Sequence, residues 1–265
     1  MSPTKVAVHG ALGRMGWEVV GAVCREPGME LVGAIELASS LDRLELPGGG
    51  TVPLSADVGA ILTECHPDVL VDFSTAKAVL PAVRAAAARG VHVVSGTTGL
   101  GANDVTELKS LIEKNNIGFV LASNFAIGAV LMVHLAKVAA RHLDYAEIIE
   151  LHHDKKADAP SGTARSTARA MIEARGRPFL YPEAAKDARS RGEREGGISV
   201  HSVRLPGLMA HQEVMFGAAG QTLSIRHDTT SRECYMPGVI LAITEVGRHK
   251  GELVVGLEGL MGLED

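Results

Sequence analysis

The chain has 265 residues, 46% of them hydrophobic and 22% charged, which is enough material for two compact domains and excludes a disordered chain. A net charge of −5 and only 3% aromatic residues exclude nucleic acid as the main partner, because nucleic-acid-binding proteins need a basic face and stacking rings. The three cysteines are far apart and form no C-x-x-C pair, which excludes a disulfide framework and a zinc cluster and favours the reducing cytoplasm.

The first elements follow the plan of a Rossmann-like βαβ unit. An apolar strand at residues 5–9 runs into the sequence GALGRMG at residues 10–16, and helical spacing then continues to Pro27. A second strand at residues 29–35 ends at Glu36. Strand, glycine turn, helix, strand and terminal carboxylate in this order predict a dinucleotide-binding domain.

Each glycine of this turn has a physical role. Gly10 permits the tight turn, Gly13 lets the backbone approach a pyrophosphate, and Gly16 allows the helix to pack closely on the strand. The carboxylate of Glu36 is placed to accept hydrogen bonds from ribose hydroxyls. The spacing G-x-x-G-x-x-G departs from G-x-G-x-x-G, so an ordinary glycine-rich turn is the alternative for the motif taken alone.

Apolar strands and helices then alternate as in a parallel sheet that is covered on both faces. We predict strands at 68–73, 91–95 and 117–122 and helices at 75–89 and 103–114. In such a sheet, ligands bind at the carboxyl ends of the strands. The loops at that edge, besides the glycine turn, are Asp72-Phe73-Ser74, Gly96-Thr97-Thr98-Gly99 and Ser123-Asn124-Phe125. The GTTG loop by itself is equally consistent with a plain polar turn.

The next part of the chain predicts a second domain with an open α+β sheet. A helix predicted over 126–143 leads into this domain. The apolar stretch of this helix is too short to span a membrane, and it contains His134. Period-two runs near 199–205, 211–216 and 221–227 are separated by short turns, so we expect antiparallel neighbours with helices on one face. Such a sheet leaves a face and edges that oligomerisation would cover.

The domain boundary is expected to be crossed twice. Residues 175–197 are rich in charge, glycine and proline and predict an exposed loop. A helix at 231–249 and a last strand at 253–257 are expected to return the chain to the first domain. We therefore predict a dinucleotide-binding domain at 1–125 and 233–265, and a substrate-binding and oligomerisation domain at 126–232.

The stretch EIIELHHDKKADAPSGTA, residues 147–164, carries the candidate site. Its first five residues alternate as a short strand, and after Pro160 the residue Ser161 is a good helix N-cap. A helix that starts there presents the amides near Gly162 and Thr163 to a carboxylate or phosphate.

Two side chains upstream of this helix add chemistry. Histidine titrates near neutral pH, so His152 can donate a proton, and Lys156 adds a positive charge on a long stem. An acid, a cation and an anion cradle predict a site for a small acidic substrate. The alternative is that His152 and His153 merely end a strand and the lysines belong to a solvated loop.

Nearly the whole chain resembles the 4-hydroxy-tetrahydrodipicolinate reductase family of the diaminopimelate route to lysine. The H-H-x-x-K-x-D-x-P-S-G-T run is the most specific motif, and GALGRMG, DFST, GTTG, ASNF and VRLPGLMAHQEVMF agree in order and spacing. The resemblance implies hydride transfer from NADH or NADPH to a cyclic imine dicarboxylate with loss of water. It also implies a homotetramer and no metal.

Matched position by position, the resemblance assigns roles to single residues. His152 would donate the proton and Lys156 would be the second catalytic residue. The implied substrate-binding residues are His153, Ser161, Gly162 and Thr163. The implied cofactor-binding residues are Gly10, Ala11, Leu12, Gly13, Arg14, Met15, Glu36, Gly96, Thr97, Thr98, Ala122, Ser123, Asn124 and Phe125. Neighbours on a strand face opposite ways, so His152 and His153 are expected to act differently.

One position departs from the family pattern. The residue after the acid is often arginine in this family, where it pairs with the 2′-phosphate of NADP, but here it is Leu37. Arg14 is the one cation left in the motif. We expect NADH to serve at least as well as NADPH.

Three other functions are weighed against this one. Another two-domain dehydrogenase, for an amino acid or a sugar, would not need the His-His-x-x-Lys run beside Pro-Ser-Gly-Thr. A non-catalytic dinucleotide sensor would tolerate loss of His152 and Lys156. A metal hydrolase using His152, His153 and Asp154 is possible by residue type, but adjacent histidines are poorly placed to share one ion.

Overall fold

The computed structural model describes residues 2–185 and 188–263 and divides into two compact units. The first unit contains the chain up to Ile127 and again from Arg232, and the second is Gly128–Ser231. The strands are β1 Thr4–His9, β2 Met29–Ile35, β3 Arg43–Glu45, β4 Thr51–Ser55, β5 Val69–Asp72, β6 His92–Ser95, β7 Phe119–Leu121, β8 Tyr145–His152, β9 Glu193–Glu195, β10 Ile198–Arg204, β11 Ala210–Ala218, β12 Gln221–Thr229 and β13 Leu253–Val255. The α-helices are α1 Arg14–Arg25, α2 Val58–Cys65, α3 Ala76–Ala87, α4 Ala102–Asn115, α5 Ile127–Ala140, α6 Gly162–Arg175 and α7 Met236–Glu245.

The first unit is built on a mostly parallel sheet in the order β13-β7-β6-β5-β1-β2-β4-β3. Only the β3–β4 pair in this described sheet is antiparallel. The carboxyl ends of β1, β5, β6 and β7 therefore meet at one edge, which the sequence predicts. The returning strand β13 pairs with β7, as expected for the last strand of the chain.

Aliphatic side chains fill the space between this sheet and its helices. Val79 and Val83 of α3 pack with Phe119 of β7 and Ile112 of α4, and all four are buried. The sequence pattern gave no assignment for β3, β4 and α2. Strands β3 and β4 are short and flank Pro47 to Gly50, and α2 is a short helix, so no period can be established in any of them.

The second unit is a five-stranded mixed sheet in the order β12-β11-β8-β10-β9. The predicted α+β class is confirmed, but β10 and β11 are not neighbours as expected. Strand β8 lies between them, antiparallel to β11 and parallel to β10. The reason is α6, which connects β8 to β10 as a crossover helix, and such a connection makes the two strands parallel.

Two further features of this unit matter for function. The prediction of a loop over all of 175–197 is wrong at Glu193–Glu195, which form β9: Gly196 and Gly197, at φ +55 and +90, turn the chain so that β9 pairs with β10. Helices α5 and α6 cover the face that carries Ile148 and Val214. None of the helices in the described ranges has both the length and the apolar character needed to cross a membrane.

Candidate functional site

The glycine turn after β1 is as compact as its motif predicts. Gly10 has φ +80, and a Cβ there would lie 2.7 Å from the carbonyl oxygen of Phe73. A Cβ on Gly16 would lie 1.9 Å from the carbonyl oxygen of Gly10. Helix α1 therefore starts directly against the turn, and both positions require glycine.

The start of α1 fits a dinucleotide. Gly13 is its N-cap and offers no side-chain cap, and the first turn has no acidic residue. The first amides of α1 are thus available to a pyrophosphate. The Glu36 carboxylate, at the end of β2, accepts a hydrogen bond from the Leu12 amide at 3.2 Å. This contact brings the predicted ribose-binding acid to the glycine turn.

A buried hydrogen-bond network ties the GTTG loop to the strand ends. Asp72 is 1% exposed; its Oδ2 accepts from the hydroxyls of Ser95 and Thr97, both at 2.8 Å. Its Oδ1 accepts from Ser74 Oγ at 2.5 Å and lies 2.9 Å from His9 Nδ1. Burial raises the pKa of Asp72, but hydrogen bonds from His9, Ser74 and Thr97 outweigh it and hold that pKa below its usual range.

Aromatic packing supports the same edge. A Cβ on Gly96 would lie 2.1 Å from the ring of Phe73, and the Phe73 and Phe125 ring centroids are 5.5 Å apart. Ala122 and Phe125 are buried, and the Asn124 side chain accepts from the Ala126 amide at 2.9 Å. The cofactor role assigned to these residues by resemblance stays a prediction.

The second unit carries the predicted substrate residues. Ser161 caps α6, its hydroxyl accepting from the Ala164 amide at 3.2 Å, as the sequence predicts. Gly162 and Thr163 are exposed, and nothing lies within 4 Å of the position of a Cβ on Gly162. A carboxylate can therefore approach the first amides of α6 closely.

His152 ends β8 and is held by a carboxylate. Its Nδ1 lies 2.5 Å from Oε2 of Glu150, whose side chain has no exposed surface. Arg204 of β10 donates to both oxygens of Glu150, at 2.9 and 2.7 Å. The Ser161 amide donates to Oε1 of Glu150 at 3.2 Å. One buried carboxylate thus connects the predicted acid to the start of α6.

Glu150 is ionised at neutral pH. Burial raises the pKa of its carboxyl, but hydrogen bonds from His152, Arg204 and Ser202 outweigh burial and lower that pKa to about 2. The carboxylate therefore only accepts hydrogen bonds.

Lys156 lies in the turn after β8. Its ammonium is 2.8 Å from Oδ1 of Asp158, and this ion pair holds the pKa of Asp158 below its usual range. Arg204 donates to the Asp158 carbonyl oxygen at 2.6 Å. His153 is exposed, and its carbonyl oxygen accepts from the Lys156 amide at 3.2 Å.

The roles of Glu150 and Arg204, and the contact of Arg204 with Asp158, are not among the features predicted from the sequence. Glu150 had a detectable signal: it lies two positions after Ile148 and two before His152, so it is a carboxylate on the core-facing side of a strand. Arg204 lies 54 positions from Glu150, and no local pattern connects them. Among the described residues no group of three or more His, Cys, Asp or Glu side chains is arranged to hold a metal ion.

Comparison with known proteins places this geometry in a family. The family model described as "Dihydrodipicolinate reductase, N-terminus" matches residues 4–125, and the model described as "Dihydrodipicolinate reductase, C-terminus" matches residues 128–261. The chain belongs to the dihydrodipicolinate reductase family. The resemblance seen in the sequence is thereby confirmed.

Individual relatives agree over their full length. The 4-hydroxy-tetrahydrodipicolinate reductase of Dehalococcoides mccartyi is 55% identical over 99% of this chain and 100% of the relative. That of Moorella thermoacetica is 46% identical over 97% of both. The solved structure of a dipicolinate-bound dihydrodipicolinate reductase from a Paenisporosarcina species is 38% identical, with a TM-score of 0.87, and covers 97% of this chain and 99% of that one.

Proposed function

We propose that this chain is a 4-hydroxy-tetrahydrodipicolinate reductase: it reduces 4-hydroxy-tetrahydrodipicolinate to tetrahydrodipicolinate with NADH or NADPH, in lysine biosynthesis through diaminopimelate. The observation that carries the proposal is the Glu150 carboxylate, which contacts His152 and the start of α6. An acid and an anion-binding helix terminus are thus fixed to one buried group. Membership of the family supports the reaction itself.

Different residues of the second unit bind the substrate and donate the proton in this proposal. One substrate carboxylate takes the amides of Gly162 and Thr163, and Lys156 offsets the remaining negative charge. After water has left the ring, a conjugated imine remains. A reduced nicotinamide held by the glycine turn, Glu36 and the GTTG loop would supply the hydride that adds to one end of the conjugated system. The electron pair moves to the other end, and His152 delivers the proton that neutralises it.

His153 and Ser161 complete the substrate site in this proposal. His153 is exposed in the same turn as Lys156, where its ring can reach a second substrate carboxylate. Ser161 acts through its cap of α6, which keeps the helix terminus in place. Both roles rest on the match to the family motif.

The first unit supplies the cofactor site. The glycine turn at residues 10–15, Glu36, the GTTG loop and residues 122–125 would hold the dinucleotide. We infer that NADH serves at least as well as NADPH. The position after Glu36 is Leu37, which is 59% exposed and offers no charge to a 2′-phosphate, while the Glu36 carboxylate repels one.

Two measurements test these statements. Purified protein, with substrate made in situ by the preceding synthase, should oxidise NADH at a rate that depends on the synthase. If a folded preparation does not oxidise reduced nicotinamide when the synthase is present, the reductase function is refuted. Steady-state kinetics with both cofactors test the second statement, and a preference for NADPH above about tenfold, or about 1.4 kcal/mol, would refute it.

We also propose a homotetramer formed through the second sheet. The face opposite α5 and α6 carries Ile149, Leu151 and Met215, which alternate with the buried residues of β8 and β11. Apolar side chains on an open sheet face favour association. Light scattering after gel filtration should give four subunits, and Ile149→Glu should dissociate them. A monomeric wild-type protein would overturn this proposal.

We place the protein in the cytoplasm. Cys24 and Cys65 are thiols in this structure, which suits a reducing compartment such as the cytoplasm. Fractionation of cells that express a tagged chain tests the location, and recovery outside the cytoplasm would contradict it.

A further inference from the structure

We propose that Glu150 and Arg204 are positioning residues for the reduction. The ion pair between them determines which nitrogen of His152 exchanges the proton. It also keeps the start of α6 and the Lys156 turn at fixed positions relative to that nitrogen. The inference rests on the proposed function, because it requires His152 to be the acid.

Both oxygens of the Glu150 carboxylate accept hydrogen bonds from several groups. Oε2 takes His152 Nδ1 and one nitrogen of Arg204, and Oε1 takes the other nitrogen of Arg204 and the Ser161 amide. The paired contacts from Arg204 fix the plane of the carboxylate. The carboxylate plane in turn fixes the direction of the bond to His152.

This bond selects the tautomer of His152. An ionised carboxylate has no hydrogen to give, so the hydrogen between Glu150 and Nδ1 belongs to the imidazole. The acid is then the imidazolium, which gives up the hydrogen on Nε2 and keeps the hydrogen on Nδ1 that Glu150 accepts. Without Glu150, the imidazolium could lose the hydrogen of either nitrogen, and the ring could rotate about its side-chain bonds. The nitrogen that donates would no longer be defined.

Arg204 also connects Glu150 to Lys156. The guanidinium nitrogen that bonds Oε1 of Glu150 also donates to the carbonyl oxygen of Asp158. The Asp158 carboxylate holds the Lys156 ammonium. One side chain therefore connects the acid, the anion-binding helix start and the cation. A lysine at this position has a single charged nitrogen and cannot make all three contacts at once.

A purely structural role for the pair is the competing explanation, and the position of Glu150 speaks against it. Glu150 follows Ile148 on the core-facing side of β8, where an apolar side chain would pack without desolvating a charge. Buried ion pairs are on average no more stabilising than apolar residues of similar volume. A charged pair at this place is therefore better explained by its contact with His152.

The strand itself supplies a matched control. Glu147, also on β8, contacts an arginine and a histidine too, although its side chain is partly exposed and the arginine bonds one oxygen: Arg191 contacts Oε1, and His201 Nε2 lies 2.8 Å from Oε2. It lies on the opposite face of the sheet from Glu150 and has no contact with His152 among the described bonds. Glu147→Gln removes the same charge from the same strand.

The experiment compares kcat, KM and pH profiles of the wild type, Glu150→Gln, Arg204→Lys and Glu147→Gln as full-length oligomers of verified subunit count. We expect Glu150→Gln to lower kcat on the order of 10²-fold, as loss of an oriented acid does, with unchanged NADH affinity. Its pH profile of kcat should differ from that of wild type, since the carboxylate that orients the acid is lost; Arg204, Lys156 and Asp158 are the other charged groups connected to this site. Arg204→Lys should also raise the substrate KM.

The Glu147→Gln control determines how a loss of kcat in Glu150→Gln is interpreted. Glu147→Gln should keep kcat within about threefold of wild type, a factor that corresponds to less than 1 kcal/mol. An equal loss in Glu147→Gln, or a Glu150→Gln enzyme with wild-type kcat and pH profile, would refute the positioning role.

A measurement on the unmodified protein covers the case in which Glu150→Gln does not fold. The ¹⁵N spectrum of histidine-labelled protein, with the His152 signals assigned by their absence in His152→Gln, reports which ring nitrogen carries hydrogen. The neutral ring should be protonated at Nδ1, and a neutral ring protonated at Nε2 would overturn the inference. This result does not depend on turnover, so it separates failure of the inference from failure of the proposed reductase function.

Discussion

Replacing Gly16 by alanine tests the cofactor site most sharply. The added Cβ would lie 1.9 Å from the carbonyl oxygen of Gly10, 2.7 Å from its carbonyl carbon and 2.9 Å from the Cα of Ala11. Ordinary contact begins near 3.4 Å, so α1 would have to move by about 1.5 Å, and every obstructing atom is backbone. We expect a loss of about 3 kcal/mol of stability, the upper end for overpacking.

The same displacement moves the first amides of α1 away from the pyrophosphate. NADH affinity should therefore fall at least about tenfold, which corresponds to about 1.4 kcal/mol. Trp17, the only tryptophan, is 44% exposed next to this turn, so its quenching can report NADH binding. Urea unfolding gives the change in stability. Gly28→Ala is the control, since nothing lies within 4 Å of its added Cβ. Equal stability and NADH affinity in the two variants would refute the reasoning.

Four further predictions concern single residues of the two proposed sites. His152→Gln should lower kcat on the order of 10²-fold or more with unchanged NADH affinity, and Lys156→Ala should lower both kcat and substrate affinity. Stopped-flow turnover measures kcat, and competition with dipicolinate measures substrate affinity. Wild-type turnover in His152→Gln would show that His152 is not the acid. The pKa of Glu150 falls from 4.5 to about 2 on folding, so its contribution to stability, up to about 3 kcal/mol, is present above pH 4.5 and is lost as pH falls towards 2. Urea midpoints of wild type and Glu150→Gln should therefore converge over that range, and a constant difference would contradict the pKa. Leu37→Arg should raise the ratio of kcat/KM for NADPH to that for NADH at least about tenfold. An unchanged ratio would show that this position does not contact the 2′-phosphate.

Much of the first unit could be predicted because its signals are local. Strand β2 was predicted with the observed bounds, Met29–Ile35, from a run of apolar residues between Gly28 and Glu36. The strand ends at one edge of the first sheet, and in the second unit the cap of α6 at Ser161, follow from the same kind of local signal. Each depends on residues that are close in the chain.

The rest depends on contacts between distant residues. Strand β10 lies beside β8 because α6 crosses between them, which no alternation within either strand reveals. His9 and Asp72 meet although 63 positions separate them, and Glu150 meets Arg204 across 54. Local patterns therefore indicate His152 and Lys156 as the candidate acid and cation, but they do not show that Glu150 contacts His152 and pairs with Arg204.

Isotope transfer is the most direct measurement of the central claim that this chain passes a hydride from nicotinamide to the diacid ring. The wild-type protein would be given NADH deuterated at both C4 positions, with substrate made in situ in ordinary water, and the product would be analysed by mass spectrometry. The proposed function predicts tetrahydrodipicolinate with one deuterium on a ring carbon. Product formed at the same rate without deuterium would contradict it.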